Sequence, residues 1–198
     1  MGRASPEKMI VWALVAAPAL WIVPRYWTEP GYISGDLLAL TGTWSARLII
    51  LALMLTPLAQ LFPDNLVLRR LLRYRRALGV GAFGYALLHL IFYVLDMDGV
   101  ASMVAELGAP AIWTAWLAFL CLVPPALASS DAAMRRLGAL WKRLQRLAYP
   151  AAVLTLVHWL LVHDGQTEAL LHFAPLAILQ LARLARFFTT HPLERTTS

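Results

Sequence analysis

Two histidines sit deep inside apolar sequence: His89 in Tyr85-Ala86-Leu87-Leu88-His89-Leu90-Ile91-Phe92-Tyr93, and His158 in Val153-Leu154-Thr155-Leu156-Val157-His158-Trp159-Leu160. An ionisable side chain in a membrane-length apolar run is expensive and generally has a use. A neutral imidazole there can ligate a metal, pass a proton, or join two helices by a hydrogen bond. No Asp, Glu or Lys accompanies either histidine within its run, which weighs against a proton pump or proton-coupled transporter. Ser/His/Asp spacing, HExxH and a P-loop are all lacking, so the sequence predicts no complete substrate-converting site of its own.

The elements that must hold these histidines follow from composition. Of 198 residues, 60% are hydrophobic and 14% charged, against about 25% charged in an ordinary soluble domain. The reading is a single all-α membrane domain over 1–198, with a loose tail from about 189. Six segments approach the roughly 20 apolar residues of a membrane helix: 9–27, 45–62, 77–95, 110–128, 147–163 and 168–188. No run shows the two-residue alternation of a barrel strand. The first segment reads as a retained helix, because Pro18, Pro24, Trp12 and Trp21 do not suit the core of a signal peptide. The stretch 26–44, with Trp27, Tyr32 and Trp44 beside Gly31, Gly35 and Gly42, reads as an outer loop, and 129–146 as an amphipathic interfacial stretch.

Charge orients the bundle. Arg69, Arg70, Arg73, Arg75 and Arg76 crowd one connection, and Arg135, Arg136, Lys142, Arg143 and Arg146 another. The alternate connections carry Asp96, Asp98 and Glu106, then Asp164 and Glu168. The positive-inside rule places the basic loops and both termini in the cytoplasm, N-in and C-in. The net charge of +6 therefore reflects topology and not nucleic-acid binding. The Arg runs serve as anchors, or as a docking face for a cytoplasmic donor or its anionic cofactor.

In that topology the third and fifth helices both run outward. His89 lies seven residues before Asp96, and His158 six before Asp164. Both imidazoles are then about 10 Å inside the outer boundary. Two imidazoles at one depth can supply both axial bonds of a haem iron, an arrangement suited to electron transfer. Ala82 and Ala86 on the face of His89, Gly81 and Gly84 on its helix, and Ala151 and Thr155 beside His158 leave room for a flat macrocycle.

Haem propionates favour cationic donors. Arg47 is the first candidate on the outer side and Arg25 the second. His163 could contact a propionate or stand in as a ligand; Arg75 and Arg76 could contact a flavin or quinone. His172 reads as interfacial and His191 as uninvolved. Cys121, the one cysteine, reads as a small buried hydrophobe and excludes an internal disulfide or multi-Cys site.

Several segments resemble one family: Thr41-Gly42-Thr43-Trp44-Ser45-Ala46-Arg47; Leu55-Thr56-Pro57-Leu58; and Arg75-Arg76-Ala77-Leu78-Gly79 leading to Tyr85-Ala86-Leu87-Leu88-His89-Leu90. Leu137-Gly138 followed by Trp141, Leu144, Tyr149 and His158 completes the pattern. The resemblance is to the MsrQ (formerly YedZ) family of the ferric-reductase-like transmembrane superfamily, and it covers nearly the whole chain. It implies a b-type haem protein of the bacterial inner membrane. Such a protein passes electrons to MsrP, a periplasmic molybdenum enzyme that reduces methionine sulfoxide in oxidised proteins. The resemblance further implies the quinone pool or a cytoplasmic flavin reductase as donor, and flavin mononucleotide (FMN) as a further cofactor.

One position departs from the family. Gln145 stands in Trp141-Lys142-Arg143-Leu144-Gln145, where the family commonly has histidine. It lies thirteen residues before His158, or roughly 20 Å of helix. Glutamine is not a usual axial ligand, so the sequence predicts at least one haem, on the outer side, and favours that one alone over a stacked pair. The competing readings are a transporter or channel with pore-lining histidines, and a structural membrane anchor with packing histidines.

Overall fold

A computed structural model describes residues 6–29, 34–162 and 165–190, and all regular structure among them is helical. The helices are α1 (Pro6–Ile22), α2 (Arg25–Thr28), α3 (Ser34–Leu61), α4 (Leu66–Leu71) and, after a 3-10 turn, α5 (Arg75–Asp96). They continue as α6 (Val100–Glu106), α7 (Pro110–Leu127), α8 (Asp131–Leu137), α9 (Ala139–Gln145), α10 (Ala148–Leu161) and α11 (Gln166–Thr190). Among the described residues five runs are long and apolar enough to cross a membrane: Pro6–Thr28, Gly35–Leu61, Leu66–Asp96, Pro110–Leu127 and Gln166–Thr189. Leu170, Leu171, Ile178, Leu181 and Leu184 of α11, and Met9, Ile10 and Leu14 of α1, point outward. Such a surface is unsuited to water and ordinary in lipid. The chain is a multi-pass, all-α membrane protein.

α10 has 14 residues, about 21 Å of helix, which is shorter than the roughly 30 Å hydrocarbon core. α3 is the central element. It packs chiefly on α5 and also on α11, α10 and α1, while α7 pairs with α10. Leu37, Thr41, Ala46, Ile49 and Leu53 of α3 are buried. Ser45 ties α3 to α5 by donating its hydroxyl to the Ala82 carbonyl at 2.9 Å.

The outer loop expected over 26–44 is a correction. Residues 25–28 form a helical turn, and α3 begins at Ser34, eleven residues before the expected Ser45. Leu37 packs with Ile22 and Phe92 in a small second core. This burial holds the early turns of α3 in place despite Gly35 and Gly42, the residues that read as loop breakers. Gly31 and Tyr32 lie outside the described residues.

The amphipathic stretch 129–146 is two short helices. Ser130 caps α8 by accepting from the Ala133 N–H at 3.0 Å. Gly138 then breaks α8 from α9 with φ of +51°, in the region that glycine enters at least cost.

Candidate functional site

His89 on α5 and His158 on α10 face one another, with ring centres 6.1 Å apart and planes inclined by 77°. Each ring is fixed by its Nδ1. That of His89 lies 2.8 Å from the Leu38 carbonyl oxygen on α3, and that of His158 lies 2.8 Å from the Ala111 carbonyl oxygen on α7. A carbonyl can only accept, so both Nδ1 atoms carry the proton and donate. Neither Nε2 has a hydrogen-bond partner among the described residues. Both imidazoles line one cavity of about 380 Å³, within the usual range for ligand sites.

The local sequence explains how a helix carbonyl can accept a second bond. The Leu38 carbonyl points along α3 toward residue 42, its i+4 partner. Residue 42 is glycine, and a Cβ there would stand 2.8 Å from His89 Nδ1 and 2.9 Å from its Cε1. The bare backbone at Gly42 is what admits the ring to the carbonyl. On α7 the residue four beyond Ala111 is Ala115, also small and also lining the cavity. Sequence reading placed Gly42 in an outer loop and in a motif, and it had no means of naming two backbone acceptors. An isolated glycine inside an apolar helix was the available signal, since it often marks close packing.

The remaining walls are mostly apolar or small: Ala46, Ala86, Ala118, Phe119 and Leu122, with Thr155 beside His158. The expected small neighbours Ala82 and Ala151 are fully buried in helix packing instead. Tyr93 and Glu168 add polar groups; the Tyr93 hydroxyl donates to Glu106 at 3.1 Å.

Could these residues hold a metal? Among the described residues no group of three or more His, Cys, Asp or Glu is placed to bind an ion. Two imidazoles alone leave a bare zinc ion short of its usual four ligands. They do satisfy an iron that already has four equatorial bonds from a macrocycle. A metal–imidazole bond of about 2 Å, plus roughly 1 Å from nitrogen to ring centre, gives about 6 Å between two axial rings. The observed 6.1 Å fits that separation.

The other expected contacts are distributed as follows. Arg47 is exposed and donates from Nε to His172 Nε2 at 3.1 Å. His172 in turn donates from Nδ1 to the Glu168 carbonyl at 2.8 Å and packs on Trp159, ring centres 5.1 Å apart. Arg47 is therefore linked through His172 to Trp159 and Glu168, which line the cavity, but does not itself line it. Arg25 pairs with Glu29 at 3.3 Å and lies over Trp21. His163 and His191 lie outside the described residues.

Arg75 and Arg76 are far from the histidines, in a second cavity of about 510 Å³ that also contains Gln145. The two cavities are stacked along the bundle and share Leu122. None of the described residues lining the second cavity is His, Cys or Met. Gln145 Nε2 donates to the Pro125 carbonyl at 3.1 Å.

Comparison with known proteins bears on this arrangement. Residues 41–156 match the family described as ferric reductase like transmembrane component. A protein of Xanthomonas axonopodis pv. citri (strain 306), the "Protein-methionine-sulfoxide reductase heme-binding subunit MsrQ", is 40% identical over 143 residues, covering 70% of this chain and 64% of that protein. The chain thus aligns with somewhat less than two thirds of that relative's length. The protein of the same name from Brucella ovis is 35% identical over 192 residues, covering 91% of this chain and 84% of that protein. No solved structure matches the chain. On these similarities the chain belongs to the MsrQ branch of the ferric-reductase-like transmembrane family.

Proposed function

We propose that the protein is the b-type haem subunit of a protein-methionine-sulfoxide reductase system in the bacterial inner membrane. It would carry electrons across the membrane to a periplasmic, molybdenum-dependent MsrP-like enzyme that repairs oxidised proteins. The observation that carries this reading is the facing pair His89 and His158, each with Nδ1 anchored and Nε2 without a partner among the described residues.

His89 and His158 would hold the haem iron as axial ligands. When bound, the haem supplies a one-electron ferric/ferrous couple. The Leu38 and Ala111 carbonyls fix each ring's tautomer and make the opposite nitrogen a better donor. The cavity walls are mostly apolar, an environment that would suit electron transfer by a haem held between the two imidazoles. Arg47, held by His172, would meet propionate charge, and the same role is proposed for His163.

The arginine distribution supports six crossings, with α10 as the fifth and both termini cytoplasmic. The histidine cavity is then on the periplasmic side, where electrons would leave. That no His, Cys or Met lines the second cavity among the described residues supports one haem per chain. The donor would be the quinone pool or a cytoplasmic flavin reductase, with FMN as an additional carrier.

The test is a reduced-minus-oxidised spectrum of purified protein. A b-type spectrum with low-spin bis-imidazole character is expected. A transporter or structural anchor would carry no stoichiometric haem, and that result would refute the proposal.

A further inference from the structure

The second cavity collects like charge from three walls of the bundle. Arg73, Arg75, Arg76, Lys142, Arg146 and Arg183 line it, and no Asp or Glu among the described residues does. Three of the six are already engaged. Arg73 reaches Glu7 at 3.4 Å, Arg76 pairs with Asp131, and Arg75 donates to the Thr56 hydroxyl at 3.1 Å. Lys142, Arg146 and Arg183 have no side-chain acceptor among the described residues. Converging cations repel one another, and an anion placed among them removes that penalty. Phosphate is the anion whose geometry best suits several Arg and Lys donors.

The shape of the cavity favours one source for that phosphate. Its volume of about 510 Å³ far exceeds a phosphate ion. Beyond the cationic ring its wall turns apolar, with Ile49, Leu53 and Leu122 running toward the bundle interior. Charged head above and apolar body below is the chemistry of an amphiphile. The positive-inside rule puts this end of the helices at the cytoplasmic headgroup level, where basic pockets between membrane helices take lipid headgroups.

We propose that this cavity is a phosphate site occupied by an anionic phospholipid of the inner leaflet, with Lys142, Arg146 and Arg183 contacting the headgroup. It is independent of the histidine cavity and of the haem reading.

The test uses the full chain in vesicles containing equal parts phosphatidylglycerol and phosphatidylcholine. Lipid retained after detergent extraction is counted by native mass spectrometry. The wild type should retain phosphatidylglycerol over phosphatidylcholine by about tenfold. The triple variant Lys142→Gln, Arg146→Gln, Arg183→Gln should lose that preference while its absorption spectrum stays unchanged. Should the triple variant misfold, Arg146→Gln alone should lower the preference about threefold, and Arg146→Lys should keep it. Equal retention of the two lipids by the wild type, or full preference in the folded variants, would overturn the proposal. Inorganic phosphate and FMN serve as soluble competitors. Failure of either to displace the lipid supports the lipid as ligand; displacement at equimolar amounts would reassign the cavity to a soluble phosphate.

Discussion

Gly42 of α3 lies against the imidazole of His89, so close that a Cβ on residue 42 would meet Nδ1 at 2.8 Å. This contact lets His89 donate to the Leu38 carbonyl. Gly42→Ala should push the ring off its carbonyl. Overpacking of this kind costs about 1–3 kcal/mol, and here it falls on the proposed ligand. Haem content should drop several-fold while helical circular dichroism persists. Unchanged haem content in Gly42→Ala would show that the glycine does not position the ring.

Tyr85 illustrates a different device. Pro18 lies inside α1 and opens its hydrogen-bond ladder. The Tyr85 hydroxyl enters there, accepting from the Ala19 N–H at 2.8 Å and donating to the Val15 carbonyl at 2.9 Å. Tyr85→Phe leaves both backbone groups without that partner, at about 1–3 kcal/mol. The expected result is a lower unfolding temperature in detergent with little change in haem spectrum. An unfolding temperature equal to wild type would remove the hydroxyl from the account of α1 docking.

Asp131 ties α8 to α5. The hydrogen bond from Arg76, then the charge of the same guanidinium, holds its carboxyl below the ordinary aspartate value. Lys8 and Arg135 act in the same direction. A depressed folded value means that the stabilisation is present above the unfolded value of about 3.9 and is lost as pH falls through the folded one. Wild type should therefore exceed Asp131→Asn in unfolding temperature by a small, constant margin near neutral pH. That margin should close as the pH drops below about 4. A margin independent of pH would contradict the pairing.

Arg47 is bonded to His172, which packs on Trp159 of the histidine cavity. A nearby cation favours the reduced, less positive state of a redox centre. Arg47→Gln should therefore lower the haem midpoint potential, and His172→Phe should shift it as well by releasing the guanidinium. Potentiometric titration gives both values. No shift in Arg47→Gln would remove the residue from the propionate role.

How far the sequence carries can be judged residue by residue. His89 and His158 were legible as a pair because helix rise and charge alternation fix depth, and depth depends on spacing alone. Gln145 was legible as a substitution, since it stands where the family commonly has histidine; that it lines a second cavity beside Arg75 and Arg76 was not. The start of α3 was not legible. Glycine lowers local helix propensity, and the burial of Leu37 against Ile22 and Phe92 that overrides it depends on distant chain. The two carbonyl anchors were also hidden, because every residue has a carbonyl and only packing decides which one is reached. The partnership of Arg47 with His172 spans 125 residues of sequence, and no local pattern encodes it.

The most direct measurement is the haem-to-protein ratio by pyridine haemochrome, taken on the wild type beside His89→Ala and His158→Ala. The predicted result is one b-type haem per wild-type chain and loss of most of it in each variant, with all three proteins folded. Two haems per wild-type chain, or full haem content in either variant, would contradict a single centre held between His89 and His158.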